Sequence, residues 1–230
     1  MEFTSGQIFL FVLRGLLTAA MPFAAYFYLK KRHGGRSIPA FAGVITVMLI
    51  LIPRALFRSI FVQGAETLTG KWLTVWLIGS VFEECGRYIA MKHAIPGYDT
   101  RTDALCYGIG HGGTEVIMSA KAQFVLLADA LGQRGTQEHL TALAGQGMLT
   151  AAEILIGNAC NLVFHMMMSV LIARAVHYEG CKKLLPIAIF IHLVSNFTTF
   201  CFGTVADVML TAALCMFVYL HGKQYPDGLI

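Results

Sequence analysis

Seven long apolar segments dominate this 230-residue sequence and constrain its fold more than any other feature. Each is close to the roughly 20 mostly apolar residues that a helix needs to cross a bilayer. Only 13% of the residues are charged, about half the share that is usual in soluble domains. The sequence therefore predicts an all-α, polytopic transmembrane helix bundle that forms a single integral-membrane domain over residues 1–230. The predicted spans cover about 7–29, 38–62, 71–91, 104–128, 151–176, 184–202 and 204–221.

Lysine and arginine are distributed unevenly among the connections between these spans. Alternate connections carry nine basic residues on one side and two on the other, so the positive-inside rule predicts an N-terminus outside and a C-terminus in the cytoplasm. This bias accounts for the net charge of +4 without a nucleic-acid partner. We expect an integral protein of a bacterial or archaeal plasma membrane, surrounded by lipid. The nine residues are Lys30, Lys31, Arg32, Arg36, Lys92, Arg101, Lys182, Lys183 and Lys223, and the two are Lys71 and Arg134.

The third span contains charges that hydrocarbon disfavours, in the motif Phe-Glu-Glu-Cys-Gly-Arg at 82–87. Carboxylates inside a membrane are costly and mark a functional site by default. Glu83 and Arg87 are four residues apart on one helical face, where we expect them to pair. Glu84 points about 100° away and lacks that partner. The alternative interpretation is a structural ion pair that holds helices together.

Three further spans each carry a histidine with a polar residue four positions away: Tyr107, His111 and Glu115 in the fourth span, Asn161 and His165 in the fifth, and His192 and Asn196 in the sixth. One such pair alone is better explained as a buried histidine with a packing role. Packing alone does not explain polar groups on four separate spans, because hydrocarbon offers such groups no hydrogen-bond partners. At about 1.5 Å per residue, Glu83 and the three histidines all fall roughly 10–17 Å from the cytoplasmic boundary. The sequence therefore predicts one site in the cytoplasmic half of the membrane.

A carboxylate and several imidazoles in a low-dielectric cavity suit hydrolysis. A glutamate can take a proton from water, and a histidine or Asn196 can stabilise the oxyanion. The sequence contains no Gly-x-Ser-x-Gly motif and therefore does not favour a serine nucleophile. The His-Glu-x-x-His motif of many zinc proteases is absent too. His111, His165 and His192 together could hold a divalent metal such as zinc.

The sequence leaves two hydrolytic mechanisms open. Glu83 or Glu84 can activate water directly, without a cofactor, or can act as the base beside a metal held by three histidines. Each histidine that binds a metal normally needs a partner for its other ring nitrogen. Glu115 and Asn161 lie one helical turn from a histidine and are candidates for that supporting role.

In their order, these motifs resemble those of the CAAX-protease and bacteriocin-processing intramembrane proteases, also called CPBP or Abi. Two of the motifs are most similar to those of the YhfC-type membrane peptidases within that wider group: Phe-Glu-Glu-x-Gly-Arg and Tyr-Gly-Ile-Gly-His-Gly-Gly-x-Glu. The resemblance covers the spans from about 71 to 202, which we take as the catalytic core. It implies an intramembrane endopeptidase that acts on a membrane-embedded peptide or protein. With a bound metal, which is one of the two mechanisms left open above, the enzyme would be a metalloprotease.

The resemblance also implies roles for individual residues. In that group the glutamate and the first histidine activate water, and the last His/Asn pair stabilises the oxyanion; carried over, those roles fall to Glu83, His111, His192 and Asn196. Glu84 and Arg87 complete the expected catalytic set, and Tyr107 stands where the group usually has phenylalanine. Arg87 lies four residues after the first glutamate instead of five, which leaves open which glutamate is the base.

Three other functions compete with proteolysis. A non-catalytic membrane scaffold or partner-stabilising protein would keep the polar cluster for packing, and the scaffold subunit of gamma-secretase belongs to the same superfamily. A proton-coupled transporter would use a Glu/His relay, although beyond Glu115 only Ser119, Lys121 and Gln123 continue the polar trail along the fourth span. The third is a bis-histidine haem protein.

Overall fold

A computed structural model describes residues 3–64 and 67–223, and these residues form helices and turns, with no strand among them. Seven long helices and one short helix account for most of this part of the chain. The bundle is therefore all-α, as the sequence predicts. In chain order the helices are α1 (Ser5–His33), α2 (Ser37–Phe61), α3 (Leu68–Ile89), α4 (Arg101–Leu131), α5 (Gln137–Ala144), α6 (Met148–His177), α7 (Leu184–Phe202) and α8 (Thr204–Gly222).

Several helix ends follow from local sequence signals. The Thr4 hydroxyl accepts a hydrogen bond from the Gln7 amide at the start of α1, and Thr100 and Asp103 form the same type of capping box at the start of α4. Gly34 ends α1 in the left-handed conformation, with φ of 67°, which glycine adopts without a Cβ clash. These signals fix where the chain leaves and re-enters the bundle.

The predicted segments correspond to the seven long helices, and the short α5 lies in the long connection at about 129–150. Five helical segments are long and apolar enough to cross a membrane: Ser5–His33, Ser37–Phe61, Met148–His177, Glu179–Phe202 and Thr204–Gly222. Among the described residues, α3 and α4 do not meet that standard, and these two helices carry the Phe-Glu-Glu and Tyr-Gly-Ile-Gly-His motifs. An integral membrane protein is therefore supported, whereas the seven-span count and the orientation of the termini stay predictions.

Contacts between helices show that the long helices alternate in direction. The basic connections after α1, α3 and α6 lie at one end of the bundle, which we call the basic end. The connections after α2 and α7 lie at the other, which we call the opposite end. The antiparallel pairs include Arg54 with Glu83 and Arg58 with Val75 between α2 and α3, and Glu84 with His192 and Trp72 with Phe200 between α3 and α7.

Helix α4 packs between α1, α2 and α6, and its glycines permit this close approach. A Cβ on Gly110 would overlap the Ala40 carbonyl group of α2, and one on Gly112 would lie 2.7 Å from the Cβ of His165 on α6. Small residues allow helix backbones to approach closely in membranes. The glycines beside His111 therefore bring the helix that carries this histidine directly against its neighbours.

Candidate functional site

Side chains from α3, α4, α6 and α7 meet in one buried polar cluster. The exposed fraction is 5% for Glu83 and 4% for His192, and it is still smaller for the other members. Burial of this many ionisable groups is costly unless they bind each other or a ligand. The structure thus brings together residues that are up to 109 positions apart, from Glu83 to His192. The cluster consists of Glu83, Glu84, Arg87, His111, His165 and His192.

Arg87 holds one side of the cluster together. Its Nη1 donates to the His165 carbonyl oxygen over 3.1 Å, and its Nη2 lies 2.9 Å from His165 Nδ1. The same Nη2 is 3.6 Å from Glu84 Oε1. The expected Glu83–Arg87 pair is therefore wrong, because Glu84 faces α6 and α7 together with Arg87. Glu83 instead turns towards α2, where Arg54 donates to its Oε1.

Both ring nitrogens of His165 are engaged, and the partners define its tautomer. A guanidinium can only donate hydrogen bonds, so His165 Nδ1 accepts from Arg87. The proton then sits on Nε2, which donates to Glu115 Oε2 over 3.0 Å. Asn161 Nδ2 donates to the same carboxylate oxygen over 3.3 Å. The predicted supporting residues Glu115 and Asn161 therefore both serve His165.

His192 has the opposite arrangement, with one engaged and one open nitrogen. Its Nδ1 lies 2.8 Å from Glu84 Oε1 and donates to that carboxylate. The proton is thereby fixed on Nδ1, and the lone pair of Nε2 points towards the site, 3.6 Å from Glu83 Oε2. A carboxylate behind a histidine is the arrangement that orients histidine ligands in metal sites.

Glu83 and His111 form the open side of the cluster. Glu83 Oε2 and both ring nitrogens of His111 are buried and have no hydrogen-bond partner among the described residues. His111 Nε2 lies 3.7 Å from Glu83 Oε2, too far for a hydrogen bond. Buried polar atoms without a partner indicate a place where a water molecule, an ion or a ligand can bind. Nε2 of His111 and Nε2 of His192 thus both lie within 3.7 Å of Glu83 Oε2.

This donor set fits a divalent metal. In the part of the chain that the structure describes, donor atoms of Glu83, His165 and His192 lie within 4.8 Å of one another, as do those of Glu83, His111 and Glu115. Both groups contain Glu83, and neither is the predicted set of three histidines. His165 has no free lone pair in its present hydrogen bonds, because Arg87 and Glu115 engage both nitrogens. Of the donors in these two groups, the ones without a hydrogen-bond partner are Glu83 Oε2, His111 and Nε2 of His192, although neither group contains both histidines.

A cavity of about 280 Å³ adjoins the cluster. Glu83, His165, His192 and the predicted oxyanion donor Asn196 all line it. Asn196 lies one turn beyond His192 on α7, so its amide faces the same space. Tyr107 is fully buried, its ring centroid lies 6.2 Å from that of His111, and it does not line the cavity.

Arg54 is a site residue that sequence reasoning missed. It follows Pro53 in the second apolar segment, and an arginine near the end of such a segment ordinarily extends towards the membrane interface. Its guanidinium is instead partly buried and paired with Glu83. The sequence did contain a signal for a buried role: Arg54 lies four residues before Arg58, which puts two arginines on one face of α2.

Comparison with known proteins gives three findings. A family model described as YhfC intramembrane metalloprotease matches residues 17–215. The "Uncharacterized membrane protein YhfC" of Bacillus subtilis (strain 168) is 26% identical over 114 residues, a match that covers 46% of this chain and 44% of the relative. The match therefore spans less than half the length of that relative. No solved structure matches the chain.

Proposed function

The chain belongs to the YhfC intramembrane metalloprotease family, and on that basis we propose that it is an intramembrane endopeptidase. Its substrate would be a membrane-embedded peptide or protein, cleaved by water that Glu83 activates. We further propose seven membrane spans, including the polar α3 and α4, with the N-terminus outside and the site in the cytoplasmic half of the membrane. A helix with buried charges can cross a bilayer when those charges face the bundle interior.

One observation carries the proposal: Glu83 Oε2 is buried, has no hydrogen-bond partner in the described residues, and faces two histidine nitrogens. A general base needs a free oxygen within reach of the proton that it abstracts. Glu84 Oε2 also has no hydrogen-bond partner among the described residues, but Glu84 does not line the cavity, and its Oε1 accepts from His192 and lies 3.6 Å from Arg87 Nη2. We therefore assign the base to Glu83 and a positioning role to Glu84.

The remaining residues divide the other tasks of hydrolysis. Asn196 lines the cavity beyond His192 and offers an amide donor to the oxyanion that develops on the carbonyl oxygen. Arg54 holds Glu83 through its other oxygen, so that Oε2 stays directed at the site. Arg87 and Glu84 orient His165 and His192 from behind and have no contact with the cavity.

Glu83, His111 and His192 are the residues that would hold a divalent cation, and the two histidines would have to approach each other to do so, because neither close donor group contains both. Such a cation would act as a Lewis acid that polarises a carbonyl group and lowers the pKa of water. Two histidines and one glutamate are a known ligand set of catalytic zinc. The orientation of His192 by Glu84 suits this role as well as it suits an oxyanion donor.

The test is cleavage by purified protein of a mixture of membrane peptides, followed by mass spectrometry, with and without a chelator. Glu83→Gln should lose cleavage by about 10²-fold or more, which is the usual effect of removing a general base. Glu153→Gln is the matched control, because Glu153 is exposed on α6. Cleavage at the wild-type rate by Glu83→Gln would refute the assignment of the base. A wild-type protein that cleaves no peptide while the cluster is intact would favour the scaffold function.

A further inference from the structure

The cavity beside Glu83 extends from the cluster in one direction only. Its deep wall consists of Glu83, Glu115, His165 and His192. Its other lining residues lie towards the opposite end of the bundle. They include Arg58 near the end of α2, Trp76 in the first half of α3, Thr199 near the end of α7 and Asp207 near the start of α8.

The cavity is about as long as two helical turns. Seven residues separate His192 from Thr199 on α7, and seven separate Trp76 from Glu83 on α3. At about 1.5 Å per residue, either separation corresponds to roughly 10 Å along the helix axis. Because α3 and α7 are antiparallel, both walls lead from the cluster to the same end of the bundle.

Packed side chains close the cavity towards the basic end. One turn beyond the deep wall, Arg87 on α3, Ser169 on α6 and Ala188 on α7 each have an exposed fraction of 0%. None of these three side chains lines the cavity. Water or a peptide that reaches Glu83 from the basic end would have to displace the hydrogen bonds between Arg87 and His165.

The walls of the cavity are polar although they lie among apolar helices. Asn161, Ser195, Asn196 and Thr199 contribute amides and hydroxyls, and Thr199 donates to Asp207. Polar side chains at membrane depth are tolerated when they line a space that holds water. The walls also carry charge: Arg58 Nε has no hydrogen-bond partner among the described residues, and its Nη2 makes only a long contact of 3.5 Å with the Val75 carbonyl oxygen.

We propose that this cavity is a hydrophilic entry channel that opens at the opposite end, by the α2–α3 and α7–α8 connections, and ends at Glu83. Water reaches the cluster by this route and not from the basic end. In the part of the proposal that rests on the proposed function, a polar and extended peptide segment enters by the same route. With the orientation that the basic residues predict, the channel opens outside the cell, although the site lies nearer the cytoplasmic boundary.

Cys160 provides a native probe, because it lines the cavity and is not in a disulfide. The experiment uses single-cysteine proteins in sealed vesicles and a membrane-impermeant, cationic methanethiosulfonate reagent added from one side at a time. Gly64→Cys marks the side of the α2–α3 connection, and Gly97→Cys marks the side of the α3–α4 connection, where a Cβ meets no atom within 4 Å. A protein that keeps Cys85 as its single cysteine is the negative control, since Cys85 is adjacent to Glu84 but does not line the cavity.

Cys160 should react from the side that labels Gly64→Cys and should be protected from the side that labels Gly97→Cys, with Cys85 unreactive from both. Gly157→Leu should slow the reaction of Cys160 about tenfold or more, because Gly157 lines the cavity and a larger side chain there narrows it. Labelling of Gly64→Cys in the Gly157→Leu background shows that the variant is inserted in the same orientation, and an unchanged melting temperature in detergent shows that it is folded.

Reaction of Cys160 only from the Gly97→Cys side would overturn the proposal. A Cys160 that reacts from neither side would also overturn it, because that result is expected of a cavity open to lipid. None of these measurements requires peptide cleavage. A protein that proves inactive can still show the channel, and an active protein can still lack it.

Discussion

His192 donates from Nδ1 to Glu84 Oε1 over 2.8 Å, and this hydrogen bond separates the roles of two adjacent glutamates. Each glutamate keeps one carboxylate oxygen without a hydrogen-bond partner in the described structure, but Glu83 lines the cavity, whereas Glu84 lies behind it against His192 and Arg87. The two residues are neighbours in sequence but face different helices. Glu84 thus acts through His192, and Glu83 faces the site itself.

Glu84→Gln should reduce peptide cleavage by about 10- to 100-fold, which is the usual effect of removing the residue that orients a functional histidine. The amide oxygen of glutamine can still accept from His192 Nδ1, so the loss should be smaller than that in Glu83→Gln. Steady-state kinetics of the two variants, with Glu153→Gln as the control, measure the difference. A larger loss in Glu84→Gln than in Glu83→Gln would exchange the proposed roles.

Metal content should distinguish His192 from His165. His192→Ala removes an open ring nitrogen and should abolish stoichiometric binding of a divalent metal, whereas His165→Gln should retain most of it, because both nitrogens of His165 are already engaged. Elemental analysis of the purified proteins at matched purity provides the measurement. Loss of metal in His165→Gln with retention in His192→Ala would restore the prediction that His165 is a ligand.

Arg87 should be a major source of stability. Arg87→Met removes the donor to His165 and leaves Glu84 buried with one fewer positive neighbour, and loss of one partner of a buried ion pair typically costs about 3–5 kcal/mol. The apparent melting temperature in detergent should fall markedly. Arg134→Met is the control, since Arg134 pairs with Asp129 at an exposed position, and its melting temperature should barely change.

Gly110→Ala should destabilise the contact between α2 and α4. A Cβ at this position would overlap the Ala40 carbonyl group, so the helices must separate, at a cost of about 1–3 kcal/mol or more. Gly97→Ala is the matched control, because its Cβ would meet no atom within 4 Å. Thermal unfolding of both variants measures the difference, and equal melting temperatures would contradict the close approach.

The orientation in the membrane can be tested in whole cells. Single cysteines placed at 34, 99 and 181 should be labelled from the cytoplasmic side, and cysteines placed at 66 and 135 should not, because basic connections stay in the cytoplasm. Position 66 lies outside the described residues. The reversed labelling pattern would invert the proposed topology while leaving the cluster itself unchanged.

Local sequence patterns were sufficient to predict the all-α bundle and the residues that gather in it. Apolar segments long enough to span a membrane require helices, since only intrahelical hydrogen bonds satisfy their backbone in lipid. Buried polar groups such as His111 and His192 in those segments then need partners inside the bundle. The membership of the cluster therefore follows from the high cost of placing such groups in hydrocarbon.

Pairing within the cluster was decided only by the tertiary structure. Helical periodicity places Arg87 near both Glu83 and Glu84, and the choice between them depends on the rotation of α3 against α6 and α7. The same rotation turns Glu83 towards Arg54, a residue more than 25 positions away that no local pattern connects to it. Which nitrogen of a histidine is free, and hence which residue can bind a metal or activate water, depends on such long-range hydrogen bonds.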